Sequence, residues 1–150
     1  MITYRQPTAL DVPVLTSLER TLFPDYPWTQ GQFKEEIAGL GKTRQLILAI
    51  NNGSIIGYSG IMVVAPGVPA DLLTIAVLPD FRGQGIAQAM LTELEAWAKE
   101  HGASEVILEV DTKNVDAISL YEFWRYEKIS TRKNYYGLGI DALIMRKELS

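Results

Sequence analysis

The sequence predicts a mixed α/β fold, a sheet flanked by helices, and three observations carry that prediction. Leu72–Leu78 is a short, almost unbroken apolar run with β-branched residues, the composition of a strand buried on both faces. From Ile86 the period changes to 3.6. Ile86, Met90, Leu94 and Trp97 (or Ala98) form one stripe with Ala87 and Leu91 beside it, while Gln88, Thr92, Glu93 and Glu95 are left for water. Glu105–Val110 then reads as a further strand, so the centre of the chain is a β-α-β crossover.

Taken in order, Ile2–Gln6 is a first strand ended by Pro7. Thr8 with Asp11 makes a capping pair, and Val14, Leu15, Leu18 and Leu22 give helical spacing to about Phe23. Pro24-Asp25-Tyr26-Pro27 breaks that helix. Thr29 and Gln32 form a second capping box, opening a helix that stops before Gly39. Gln45–Ile50 and Ser54–Val64 are strands joined by the hairpin signal Asn51-Asn52-Gly53, and Ala65–Ala70 is a surface turn. Gly102 supplies a left-handed stop after the central helix. Asn114 caps a short helix over Val115–Trp124, and Glu127–Tyr136 and Leu143–Glu148 close the chain as strands. No repeat, low-complexity segment or linker interrupts this order, and 150 residues suit a single domain spanning 1–150.

Composition narrows the function. A net charge of −4 and a pI near 5.0 argue against a nucleic-acid surface and are compatible with a cationic acceptor such as an amine or basic peptide. With no cysteine, disulfides, thiolate metal sites and cysteine nucleophiles are excluded. The lack of a basic-then-apolar leader and of any long apolar run implies a cytoplasmic protein that does not engage a membrane. No metal site is expected.

Between the buried strand and the central helix lies Arg82-Gly83-Gln84-Gly85-Ile86-Ala87. Small residues let backbone amides approach a ligand closely. Those amides are the free donors of a starting helix, whose dipole favours negative charge. The stretch lacks the Gly-Lys-Ser/Thr ending of a P-loop and the Gly-x-Gly-x-x-Gly of a dinucleotide fold. A tight turn that binds nothing is the plainer alternative.

This segment resembles the acyl-CoA-binding motif of the GCN5-related N-acetyltransferases (the GNAT superfamily), and the order of elements along the whole chain is similar to theirs. The resemblance implies a central mixed, mostly antiparallel sheet flanked by about four helices, with acetyl-CoA as cosubstrate. It places the pantetheine arm beside Ile75, Ala76 and Val77, and the pyrophosphate on Arg82, Gly83, Gln84, Gly85, Ile86, Ala87 and Gln88.

Acetyl transfer to an amine requires a deprotonated amine, a polarised thioester and a stabilised leaving thiolate. Glu109 is the candidate base. In Val106–Val110 it shares a face with Ile107, and a carboxylate in so apolar a strand must be paired, protonated or at a water-lined cleft. Burial would push its pKa upward. A solvent-facing or lysine-paired glutamate is the alternative. Leu108-Glu109-Val110 followed by Asn114 resembles the ribosomal-protein-alanine (RimI-like) branch, which implies that Glu109 accepts the proton and that Asn114 contacts the coenzyme besides capping its helix. Tyr121 lies seven residues beyond Asn114. With an ordinary pKa of about 10 it stays a proton donor toward a thiolate of pKa about 8.5. It reads equally as a core tyrosine, and the resemblance implies the general-acid role.

Pro27-Trp28-Thr29 with Phe33, and Asn134-Tyr135-Tyr136 with Asp141–Met145, resemble substrate-side segments of the same branch. They imply that Trp28, Tyr135 and Tyr136 line a pocket for a peptide N-terminus. Read alone, these aromatics are ordinary packing residues. Arg125 stands where the family usually has glycine, which predicts a re-routed helix end behind Tyr121. Leu78 and Ala87 are milder departures. The only histidine, His101, reads as a C-terminal dipole partner of the central helix.

The expected activity is acetyl transfer from acetyl-CoA to a protein N-terminal α-amine by direct attack in a ternary complex, with a small-subunit ribosomal protein as the implied partner. A monomer or weak homodimer is expected. Acetylation of a polyamine, amino acid or antibiotic is the enzymatic alternative. A non-catalytic acyl-CoA-binding module is the other.

Overall fold

The computed structural model describes residues 1–150. Its seven strands are β1 (Ile2–Arg5), β2 (Arg44–Asn51), β3 (Ser54–Met62), β4 (Ala70–Val77), β5 (Glu105–Asp111), β6 (Glu127–Gly137) and β7 (Ile140–Glu148). They form one sheet in the order β1-β2-β3-β4-β5-β7-β6. The helices are α1 (Val12–Leu22), α2 (Gln30–Ala38), α3 (Ile86–Glu100) and α4 (Val115–Phe123). Every neighbouring strand pair is antiparallel except β4 and β5, which the α3 crossover joins in parallel. The mixed, mostly antiparallel sheet with four helices is the fold the sequence implied.

Local signals set most boundaries. Thr8 and Asp11 form a complete capping box on a 3-10 turn leading into α1, and Thr29 and Gln32 form another on α2. Asn52 and Gly53 have φ of 50° and 79°, the paired left-handed residues that a two-residue hairpin needs. Two cores result. The larger lies between the sheet and α3 and α4, and includes Ile47, Ile61, Met90, Leu94, Val106, Tyr121 and Met145. The smaller packs Leu48, Tyr58 and Ala76 from the opposite sheet face against Val12, Leu15 and Phe33 of α1 and α2. Successive residues such as Ile47 and Leu48 thus enter different cores, which is why β2 and β3 read as continuous apolar runs. No helix is long and apolar enough to cross a membrane.

Two expectations are corrected, and one alternative left open is settled. The central strand runs Ala70–Val77 rather than Leu72–Leu78, and Leu73, Thr74 and Ile75 are only half-buried. Ala98, not Trp97, completes the buried stripe of α3; Trp97 is partly exposed and stacks on His101 with centroids 4.0 Å apart. The end of α4 is not re-routed. Arg125 takes the left-handed position itself (φ 74°), with Tyr126 N–H donating to Tyr121 C=O at 2.9 Å and Arg125 N–H to Glu122 C=O at 3.0 Å. That is the Schellman pattern, kept at a cost of about 1 kcal/mol relative to glycine. His101 does close α3, its ring Nδ1 lying 2.8 Å from Trp97 C=O.

Candidate active site

The site grows from an interruption in the sheet. β4 and β5 are paired only at Ala70–Val106 and Asp71–Ile107, although they hold eight and seven residues. Beyond Asp71 they part. β3 stays paired with β4 throughout, but Leu73 is an extra residue there, a bulge between the pairs Gly60–Thr74 and Ile61–Leu72. The buried Ser59 hydroxyl donates to Thr74 C=O at 2.7 Å beside it. From Leu72 to Val77 one side of β4 therefore faces a gap, and its outward backbone groups are free to pair with an extended ligand.

At the end of β4 the chain makes a 3-10 turn over Pro79–Phe81 and enters α3 through Gly83 and Gly85, both left-handed at φ 77° and 78°. A Cβ at either glycine would meet no atom within 4 Å, so the backbone's hand, not crowding, calls for glycine. The consecutive amides from Gly83 to Gln88 donate to no acceptor in the protein, and the first bond of α3 runs from Ala89 N–H to Gly85 C=O at 3.0 Å. Six free donors at a helix N-terminus form a seat for an anion. Arg82 folds back to close the loop, its Nε donating to Val77 C=O at 3.0 Å.

Across the gap, Glu109 projects from β5, half-buried and without an ion pair. Burial raises its pKa, the negative charge of Asp71 raises it further, and Arg132 opposes both. Burial likewise raises Asp71. Tyr135 and Tyr136 of the β6–β7 hairpin lie near that carboxylate. Both hydroxyls are pushed up by burial and feel the Glu109 carboxylate. Their rings meet edge-on at 4.9 Å, and the Arg132 guanidinium sits 5.0 Å over Tyr135.

Tyr121 of α4 is buried, edge-on to Trp124 and Tyr126 at 6.0 and 5.9 Å. Burial pushes its hydroxyl up to about 12, which keeps it protonated, and that hydroxyl makes no hydrogen bond within the protein. Asn114 caps α4 through Oδ1, which accepts from Ala117 N–H at 3.2 Å, while its side-chain amide is exposed.

In the structure Ile75–Val77 lead through the 3-10 turn to Arg82–Gln88, the Glu109 carboxylate acts on both Tyr135 and Tyr136, and of these two Tyr121 acts on Tyr136 alone. Trp28 does not join that aromatic group. Its ring packs on Phe33 at 5.2 Å in the smaller core, and Tyr26 from the same segment stacks on Tyr136 at 5.4 Å instead. The sequence reading missed Tyr26, Asp71 and Arg132. Asp71 carried the same signal as Glu109, a carboxylate in an apolar strand, but lay one residue outside the strand as first drawn.

Residues 13–123 match the family model described as Acetyltransferase (GNAT) family. The chain belongs to that family. It is 32% identical over 145 residues to the N-alpha-acetyltransferase RimI of Mycobacterium tuberculosis, covering 94% of this chain and 89% of that protein. The crystal structure of the ribosomal-protein-S18-alanine N-acetyltransferase from Escherichia coli, 29% identical, superposes with a TM-score of 0.85 over 100% of this chain and 95% of that one. An uncharacterized Mycobacterium leprae protein is 35% identical over 145 residues, of which this chain spans only 39% of the length. In this GNAT acetyltransferase the free amides follow β4, whose pairing with β5 stops at Asp71, and Glu109 lies on β5 beyond that point.

Proposed function

We propose that this enzyme transfers the acetyl group of acetyl-CoA to the α-amino group of a protein or peptide N-terminus by direct attack in a ternary complex. The observation that carries the reading is the run of six free amides, Gly83 to Gln88, at the mouth of a gap whose far wall bears Glu109. The donor set fits the coenzyme. Main-chain N–H groups at a helix start suit a diphosphate, and the unpaired side of β4 suits the amide groups of an extended arm.

Glu109 takes the proton that the attacking amine gives up, directly or through one water, and its raised pKa makes it a stronger base than an ordinary carboxylate. As the carbon–sulfur bond breaks, Tyr121 supplies a proton to the departing sulfur. Asn114 offers its exposed side-chain amide to the coenzyme, while Tyr135 and Tyr136, with Tyr26 stacked on Tyr136, bound the acceptor side. The α-amine preference follows from acidity. An α-amino group has a pKa of about 7.7–8.0 against about 10.4 for lysine, so far less is asked of the base. The name of the Escherichia coli relative specifies an alanine of ribosomal protein S18. An Ala-initiated N-terminus is accordingly the acceptor to test first.

Thiol release from acetyl-CoA is followed with an Ala-initiated peptide and with a panel of free polyamines and amino acids. The peptide is expected to turn over at least tenfold faster in kcat/KM. Faster turnover of a free amine, or tight coenzyme binding with no turnover of any amine, overturns the proposal.

A further inference from the structure

Glu19 of α1 lies in the smaller core at 3% exposure with no cation beside it, whereas the other buried acid, Asp11, is paired with Arg5 at 2.8 Å. An unpaired buried carboxylate is costly, and an apolar side chain of similar volume would pack there at no such cost. Its two oxygens instead accept from two distant parts of the fold. The Tyr58 hydroxyl of β3 donates to Oε1 at 2.7 Å, and Trp28 N–H donates to Oε2 at 3.0 Å.

Those two partners lead to opposite sides of the proposed site. Tyr58 stands in register with Ala76 on the coenzyme strand. Trp28 belongs to the segment between α1 and α2, and two residues before it Tyr26 stacks on Tyr136 of the acceptor wall. From Pro24 to Trp28 the bond to Glu19 is the only hydrogen bond that the main chain makes. Two prolines remove two of the five donors there, so local structure cannot fix this segment by itself.

We infer that Glu19 is a positioning residue for the acceptor: it ties the α1–α2 segment to β3 and so holds Tyr26 at a height set by the coenzyme strand. This rests on the acceptor reading above. Glu19 touches neither reactant. It acts through Trp28 and Tyr58.

The test replaces Glu19 by Met, which keeps volume and removes both acceptors, and by Gln, which keeps one. An Ala-initiated peptide is titrated at saturating acetyl-CoA, and coenzyme affinity is measured separately by calorimetry. Glu19→Met is expected to raise peptide KM about tenfold, as the loss of a hydrogen bond to a charged group would, with kcat within threefold and acetyl-CoA Kd within twofold. Glu19→Gln is expected to recover part of the loss. Tyr58→Phe, which spares the Trp28 bond, is expected to raise KM less. An unchanged peptide KM in a folded Glu19→Met protein, or KM and coenzyme Kd rising in parallel, overturns the inference. Should Glu19→Met fail to fold, the same two readouts on Glu19→Gln decide. If the wild type leaves the peptide unacetylated, the acceptor reading itself has failed. If it acetylates the peptide and the variants keep its KM, only the role of Glu19 has.

Discussion

Gly85 separates backbone strain from ligand contact, because the fold contains its own control. Gly85 and Gly41 have φ of 78° and 79°, and a Cβ at either meets nothing within 4 Å. Valine at either position thus costs the same kind of free energy, about 1–2 kcal/mol for a left-handed branched residue. At about 2–4 °C per kcal/mol for a domain of this size, Tm falls by about 2–8 °C in both variants. Only Gly85 stands among the six free amides, where the added methyls occupy the space through which a diphosphate approaches. Losing one such charge-assisted bond, worth about 1.5–3 kcal/mol, weakens acetyl-CoA about 10- to 100-fold in Gly85→Val and leaves Gly41→Val within twofold of wild type. Calorimetric titration with thermal unfolding reads both quantities. A folded Gly85→Val protein with wild-type coenzyme affinity, or an equal loss in Gly41→Val, refutes the assignment of the loop.

Glu109→Gln is expected to lower kcat by about 10²–10⁴ in thiol-release assays while acetyl-CoA Kd stays within twofold. A base works deprotonated, and the Asp71 charge helps to raise the pKa of Glu109. Asp71→Asn should therefore move the acid limb of kcat/KM to lower pH, and a limb that stays or rises counts against the coupling. Tyr121→Phe removes a hydroxyl with no partner in the protein, so kcat should fall while Tm stays within about 2 °C. Arg125→Gly relieves about 1 kcal/mol of left-handed strain and should raise Tm by about 2–4 °C in a thermal melt.

What the sequence made legible was local. Thr8 with Asp11, Thr29 with Gln32, Asn52 with Gly53, and the glycines around Ile86 each act within three or four residues, and each feature stands where its spacing put it. The bulge at Leu73 and the proximity of Asp71 to Glu109 depend on partners 11 to 38 residues away, which periodicity cannot register. The aromatic wall shows the same limit. Trp28 and Tyr26 are two residues apart, yet one ring packs on Phe33 in the core and the other reaches Tyr136, a difference set by tertiary packing. Arg125 failed differently. Propensity argued for a new path, but the two Schellman bonds and the packing of Tyr126 outweigh about 1 kcal/mol.

The gap between β4 and β5 does not need a ligand to hold it open. β5 is paired with β7 along its full length, from Glu105–Glu148 to Asp111–Ala142, and β4 is paired with β3 from Asp71 to Val77. Had the two strands continued in register past Asp71, Leu73 would stand beside Glu109 and the carboxylate would lie on a closed sheet. Because each strand is held by its outer neighbour, the parting is built before any coenzyme arrives, and the half-burial that raises Glu109 comes with it. A seat formed in advance avoids an ordering cost on binding. Binding free energy can then be directed to placing the acceptor, the step on which Tyr26, Trp28 and Glu19 bear.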